Sequence, residues 1–355
     1  MGFRSIIILT SLVGIVFLGC KKTEEETPDF NKGQLLTNVS GQIILPSLND
    51  FDSDLSDLQT SFMNFRNDRT AANLEIVRND WKKSYLTFQT VKIFDLGPIK
   101  NNGFKASTAT YPTDTLDIRA NISAGSYNLG SAANVDAIGL PALDYLFFQP
   151  NALVELQNNE DYLNYVEAVI NKMKSESTLV LDQWQGYKAT FDASTGTSST
   201  SSFSELVNEF NRDYELAKNA KVGIPIGKKS LGIPMPEYVE ARYSGFSFEL
   251  LDASIKALTK VFNGNSYETS NPGVGFDDYL VHLDKESLKT TINTNFTAIQ
   301  NKIDTFSSSL EVEIQQNMTG LDELYLLLQQ QVVYIKTDMT SAFGVLITYQ
   351  DNDGD

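Results

Sequence analysis

The sequence predicts an all-α protein built as two packed helical bundles. Apolar residues recur at three- and four-residue steps along most of the chain. The breaks between these runs are helix punctuation rather than hairpin turns, and one Ser/Thr-rich stretch near the middle has no apolar side chain larger than alanine.

The first run is Ile43, Ile44, Leu48, Phe51, Leu55, Leu58, Phe62 and Phe65, followed by Val77, Trp81, Tyr85, Phe88 and Val91. Leu163, Val166, Ile170 and Met173 repeat the spacing. So do Leu250, Leu251, Ile255, Leu258 and Val261, and then Leu321, Leu324, Leu327, Leu328 and Val332. Residues three and four apart share one face of a helix, so each run is a stripe that needs a partner to cover it. Gly97-Pro98, Tyr111-Pro112, Gln149-Pro150, Gly264 and Asn271-Pro272-Gly273 mark the stops. Strand-like alternation is scarce.

The stretch from Asp192 to Ser202 can add nothing to a core and reads as a flexible linker or loop. Ser202 or Ser204 is placed to cap a helix running from Glu205 through Ala220. The boundary therefore falls at 191–203, between an N-terminal bundle at 33–190 and a C-terminal bundle at 204–355. A chain of 355 residues has room for about two domains, and 41% hydrophobic residues are enough to fill them.

The N-terminus reads as an address rather than part of the fold. Arg4 precedes an apolar run from Ile6 to Phe17, too short to cross a hydrocarbon core of about 30 Å comfortably. It ends in Phe17-Leu18-Gly19-Cys20, which resembles the bacterial lipobox. Residues 1–19 are then a lipoprotein signal peptide, and Cys20 carries palmitate-type acyl chains that hold the protein to the membrane. Residues 20–32, with Glu24-Glu25-Glu26 and Pro28, form a polar tether expected to be disordered. The expected location is the bacterial cell envelope, at the outer membrane, facing the periplasm or the surface.

Charge and composition exclude several classes of function. The formal net charge is −17, so nucleic acid and anionic lipid are poor partners for the body of the protein. Cations or a basic partner fit better, beside the plainer reading of an acidic surface that keeps the protein soluble. One cysteine and one histidine rule out an internal disulfide and a Cys/His zinc site. A bound metal would need mainly oxygen ligands, which suits iron or another hard cation. His282, within Tyr279-Leu280-Val281-His282-Leu283, reads as a packed or half-exposed structural histidine. Asp277-Asp278 reads as an N-cap and first-turn acid, and Asp351-Asn352-Asp353-Gly354-Asp355 as a solvated tail.

Several segments, in order along the chain, resemble the imelysin family, also called insulin-cleaving membrane proteases. They begin with Trp81-Lys82-Lys83-Ser84-Tyr85, Phe94-Asp95-Leu96-Gly97-Pro98 and Tyr111-Pro112-Thr113-Asp114. Ile138-Gly139-Leu140-Pro141-Ala142-Leu143-Asp144-Tyr145 and Gly223-Ile224-Pro225-Ile226-Gly227 follow. Glu240-Ala241-Arg242-Tyr243-Ser244-Gly245, Gly275-Phe276-Asp277-Asp278-Tyr279 and Ala342-Phe343-Gly344-Val345 complete the set. The resemblance implies two packed helical bundles, envelope exposure, frequent iron regulation and a role in iron uptake. Peptidase activity is attached to the family name.

The family carries Gly-x-His-x-x-Glu in its first bundle, where the bundles meet. The matching residues here are Gly139, Pro141 and Asp144, so proline replaces the histidine and aspartate the glutamate. Proline offers no ligand, but it suits the first turn of a helix. Gly139-x-Pro141 thus reads as a helix start, with Asp144 favoured near its N-terminus by the helix dipole.

The function expected is a binding or uptake component of iron acquisition, taking a cation or a partner protein in a cleft between the bundles. Asp144, Glu240, Arg242, Tyr243 and Ser244 are the candidate ligand-binding residues. Asp144 and Glu240 are expected to line one polar pocket, with Arg242 balancing them; a plain surface ion pair of Glu240 and Arg242 is the structural alternative. A metallopeptidase of imelysin type and a structural envelope protein are the other readings. The missing motif histidine counts against the peptidase.

Overall fold

The computed structural model describes residues 29–269 and 271–349. The lipobox at Cys20 and the acidic tail at 351–355 lie outside the described residues. The helices run α1 (Lys32–Val39), α2 (Leu45–Asn67), α3 (Ala71–Val91), α4 (Gly97–Asn101), α5 (Phe104–Ala109), α6 (Thr115–Ala124), α7 (Gly139–Phe148), α8 (Ala152–Asn158) and α9 (Glu160–Ala193). The second half holds α10 (Ser202–Leu216), α11 (Ser247–Phe262), α12 (Phe276–His282), α13 (Glu286–Ile303), α14 (Leu310–Gln316), α15 (Met318–Val332) and α16 (Thr340–Phe343). No strand occurs among the described residues. Three π-helical segments interrupt the helices, at Ser40–Ile44, Ala217–Gly223 and Val333–Met339.

Local sequence sets the ends. Pro46 stands in the first turn of α2, where its missing N–H is not needed. Thr70 caps α3 by accepting from the Asn73 amide, and Asn159 caps α9 by accepting from the Tyr162 amide. The apolar stripes face inward. Leu48, Phe51, Leu55, Leu58, Phe62 and Phe65 of α2 are all buried, against Val77, Trp81, Tyr85 and Phe88 of α3 and Leu163, Val166 and Ile170 of α9. Each such side chain contributes about 1.5–3 kcal/mol by leaving water.

In the second half, α11 packs on α13 and on the π-helical segment after α10, while α13 packs on α15. The halves meet where α11 lies on α3. From Asn31 onward the described chain is one compact unit.

Three details differ from the sequence reading, the start of the helix at 202, the exposure of His282 and the N-cap of α12, while the Ser/Thr-rich stretch is a loop, one of the two forms that reading allows. The helix expected from Glu205 to Ala220 begins at Ser202, with Ser201 at the N-cap, and passes into π-helix at Ala217. The Ser/Thr-rich stretch forms a closed loop: Ser194 accepts from the amides of Ser202 and Phe203 at 3.1 and 3.2 Å. His282 is exposed at the end of α12, beside the Tyr279 ring. Gly275 rather than either aspartate is the N-cap of α12; Asp277 and Asp278 both lie in its first turn, where Asp278 accepts from the Gly275 amide at 3.0 Å.

Candidate functional site

The motif segment forms the start of α7, as its sequence implies. Gly139 is the first helical residue, with φ of +78°. A Cβ there would lie 2.4 Å from the Thr108 carbonyl oxygen, so only glycine lets α7 begin against the end of α5. Pro141 is buried in the first turn, where it needs no donor.

Asp144, only 2% exposed, points from α7 at the turn carrying Tyr243 and Ser244. Its Oδ2 accepts from the Tyr243 amide at 2.9 Å and its Oδ1 from the Ser244 amide at 3.0 Å. The turn is shaped to present those two amides: Ala241 has φ of +49°, and its carbonyl accepts from the Phe246 amide and the Ser244 hydroxyl. Burial pushes the Asp144 carboxyl up to about 6 against the pull of these hydrogen bonds, and the nearby Glu240 charge adds to the rise.

Glu240 is 3% exposed but faces elsewhere. Its carboxylate accepts from the Tyr85 hydroxyl at 2.9 Å and pairs with the buried Lys221 ammonium. Arg242 does not balance either acid. It forms a two-pronged pair with Glu311, at 2.8 and 3.2 Å. The expected arrangement is thus corrected: the charge opposite Glu240 comes from Lys221, which the π-helical segment carries inward. Tyr243 stacks edge-on against Tyr145, centroids 5.1 Å apart, and is partly exposed. The structure therefore brings Asp144, Tyr243 and Ser244 into direct contact and leaves Arg242 at the rim.

Asp144 and Glu240 line two adjacent cavities rather than one. Asp144, Pro141, Arg242 and Tyr243 border a space of about 40 Å³, the scale of a single water. Glu240 borders a second of about 300 Å³. Tyr111 is a wall of both.

The larger cavity holds residues that the sequence reading did not single out. Asp213, fully buried, accepts from the Lys92 ammonium at 2.7 Å on one oxygen and from Lys105 at 3.0 Å on the other. Lys92 also donates to the Ser254 hydroxyl at 3.3 Å. Burial alone would raise the Asp213 carboxyl, but the Lys92 and Lys105 charges hold it at about 2. Burial lowers Lys92 to about 8; Asp213 opposes that fall, while Lys221 and Lys105 reinforce it. One signal was available in the sequence. Lys92 lies four residues past Phe88 and Asp213 three past Phe210, so both are charges on apolar stripes.

Among the described residues, no group of three His, Cys, Asp or Glu side chains converges as a metal-holding cluster. No described helix is long and apolar enough to cross a membrane.

An all-helical body whose GxHxxE-like segment opens a helix and sends its acid to a distant turn defines a class, and comparison with known proteins names it. The chain belongs to the Imelysin family, whose pattern matches residues 44–335. A curated relative, Iron-regulated protein A of Synechococcus elongatus, is 24% identical over 107 residues, 30% of this chain and 29% of that protein. The matched stretch is thus under a third of the relative's length. An imelysin-like protein from Psychrobacter arcticum 273-4 has a similar fold, with a TM-score of 0.74 at 15% identity, over 90% of this chain and 97% of that one. A Parabacteroides distasonis protein described as an iron-regulated protein A precursor gives 0.72 at 13% identity, over 89% and 97%.

Proposed function

We propose that the protein is a binding component of iron acquisition, held to the bacterial envelope by a lipid on Cys20, and that it does not cut peptides. The observation that carries this reading is the engagement of Asp144. Both of its oxygens are taken by backbone amides, and proline stands where the family motif has histidine. The segment that gives the family its signature is spent on joining two parts of the fold, and it presents no side chain for an open metal position. Binding then falls to the adjacent 300 Å³ cavity, within the usual size range of ligand sites.

The link to iron is supported by the names of the cyanobacterial relative and the Parabacteroides neighbour, and the anchor by Leu18-Gly19-Cys20.

The test is genetic and biochemical. A deletion strain should grow poorly under iron limitation and be rescued by the wild-type gene. It should not be rescued by Ala220→Trp, which fills the cavity. Purified protein should show no chelator-sensitive cleavage of casein, and Cys20→Ala should move the protein out of the membrane fraction. Normal growth of the deletion strain in low iron would remove the iron reading. Casein cleavage lost on changing Asp144 would restore the peptidase, and continued lipid labelling of the Cys20 variant would remove the anchor.

A further inference from the structure

We infer that the cavity walled by Lys92, Lys105, Tyr111, Asp213, Lys221 and Glu240 binds a small organic anion of single charge, a carboxylate with an apolar body. This deepens the binding reading above and rests on it.

Three ammonium groups, on Lys92, Lys105 and Lys221, meet two carboxylates, on Asp213 and Glu240. These five groups carry one more positive charge than negative, inside a protein whose formal net charge is −17; Asp95, also on the cavity wall, shares Arg212 with Glu209, so the opposite excess lies at the exposed edge. Lys92, Lys221, Asp213 and Glu240 are each under 10% exposed at the side chain and Lys105 is 16% exposed, so water screens the excess only in part. Each ammonium has a carboxylate partner, but Lys92 and Lys105 share one, and a monoanion beside them would even the count. A dianion would reverse the excess among these groups.

The Lys92 and Lys105 charges lower the Asp213 carboxyl, and Lys221 and Lys105 add to the fall that burial imposes on Lys92. Donors remain for a ligand. An ammonium has three N–H groups; the bonds named above use two on Lys92 and one on Lys105.

Shape and backbone agree with this. Ala106, Ala109, Leu216 and Ala220 supply an apolar side. The Ala217–Gly223 segment is π-helical, and two of its residues, Ala220 and Lys221, line the cavity. Such segments recur at functional sites because the wider turn redirects side chains. Arg212 borders the same cavity and is 42% exposed at the side chain, between Asp95 and Glu209. It is the group an incoming anion would meet first.

The experiment is calorimetric titration of the mature protein with benzoate and hexanoate, beside benzamide, hexanamide and inorganic phosphate. The carboxylates should bind at least about tenfold more tightly than the matched amides, the effect of one charge contact of roughly 1.4 kcal/mol. Lys105→Gln should weaken carboxylate binding by a similar factor, Lys105→Arg should recover part of it, and Ala220→Trp should abolish it. Thermal melts confirm that each variant is folded.

Amides binding as tightly as carboxylates, Lys105→Gln binding like wild type, or no binding by any carboxylate would each overturn the inference. The two readings fail separately. If carboxylates do not bind but Ala220→Trp still fails to rescue growth in low iron, only the anion inference falls. If carboxylates bind and Ala220→Trp rescues growth fully, the anion site stands and the iron role falls.

Discussion

Asp144 and Asp213 are the same side chain in nearly the same state of burial, 2% and 0% exposed, yet they are shifted in opposite directions. Asp144 rises to about 6 and Asp213 falls to about 2. The difference lies in what meets them. Asp144 receives two neutral backbone amides, which orient it without cancelling its charge. Asp213 receives two ammonium ions. Amide dipoles can fix a buried carboxylate in place, but only a full opposite charge repays its removal from water. One aspartate is a clasp between segments about a hundred residues apart; the other is part of a charged chamber.

Removing Asp213 breaks the comparison most sharply. Asp213→Ala leaves the buried Lys92 and the half-buried Lys105 without their shared counter-charge, and should cost about 3–5 kcal/mol. Urea unfolding measures this, and a loss below about 1 kcal/mol would mean that water reaches the pair freely.

Next comes Gly139→Ala, which imposes a side chain on a left-handed backbone and against the Thr108 carbonyl. A loss of about 2–4 kcal/mol is expected from the strain and the clash together.

Asp144→Asn should cost less, about 1 kcal/mol at pH 7: it relieves a buried charge but turns an –NH₂ group toward an amide that needs an acceptor. The pH profile sharpens this. The folded pKa of Asp144 lies above its unfolded value, so its contribution is fully present below about 4 and lost as pH rises through about 6. Wild type should therefore gain stability over the Asn variant as pH falls from 7 to 4. Asp213 behaves oppositely: its contribution is present above about 4 and lost as pH falls through about 2. Parallel pH profiles for wild type and Asp144→Asn would show that burial does not penalise the Asp144 charge.

The smallest effect belongs to Arg242→Ala. Its pair with Glu311 is part-exposed on both sides, so less than about 1 kcal/mol should be lost.

The fold was largely legible because helical periodicity is local. The α2 stripe from Leu48 to Phe65 is buried at every position named from spacing alone. The start of α7 at Gly139 was equally legible, since Pro141 restricts where a helix can begin. The contact of Asp144 with the 243–244 turn followed from the pairing of family-like segments. What that contact is made of did not, because backbone amides carry no sequence label. Nor can sequence choose between Lys221 and Arg242 as the partner of Glu240. Arg242 is nearer along the chain, but Lys221 is turned inward by a π-helical segment that its residues do not announce. Lys92 and Asp213 interrupt apolar stripes visibly, yet each makes sense only once the other is known to face it.

Helix α3 joins these regions in a way that bears on how the proposed ligand would get in. The Trp81 indole donates to the Leu140 carbonyl at the start of α7, and the Tyr85 hydroxyl, four residues on, donates to Glu240. The spacing between those two anchors is about 6 Å along one helix axis, and α3 is itself packed against α2 and α11. The helix acts as a fixed gauge between the motif and the 240 turn. A clamshell opening would have to break one anchor or drag α3 out of both layers. A ligand of the proposed kind would then enter past side chains swinging at the exposed edge, and its exchange should be governed by the rotamers of Arg212 rather than by a hinge.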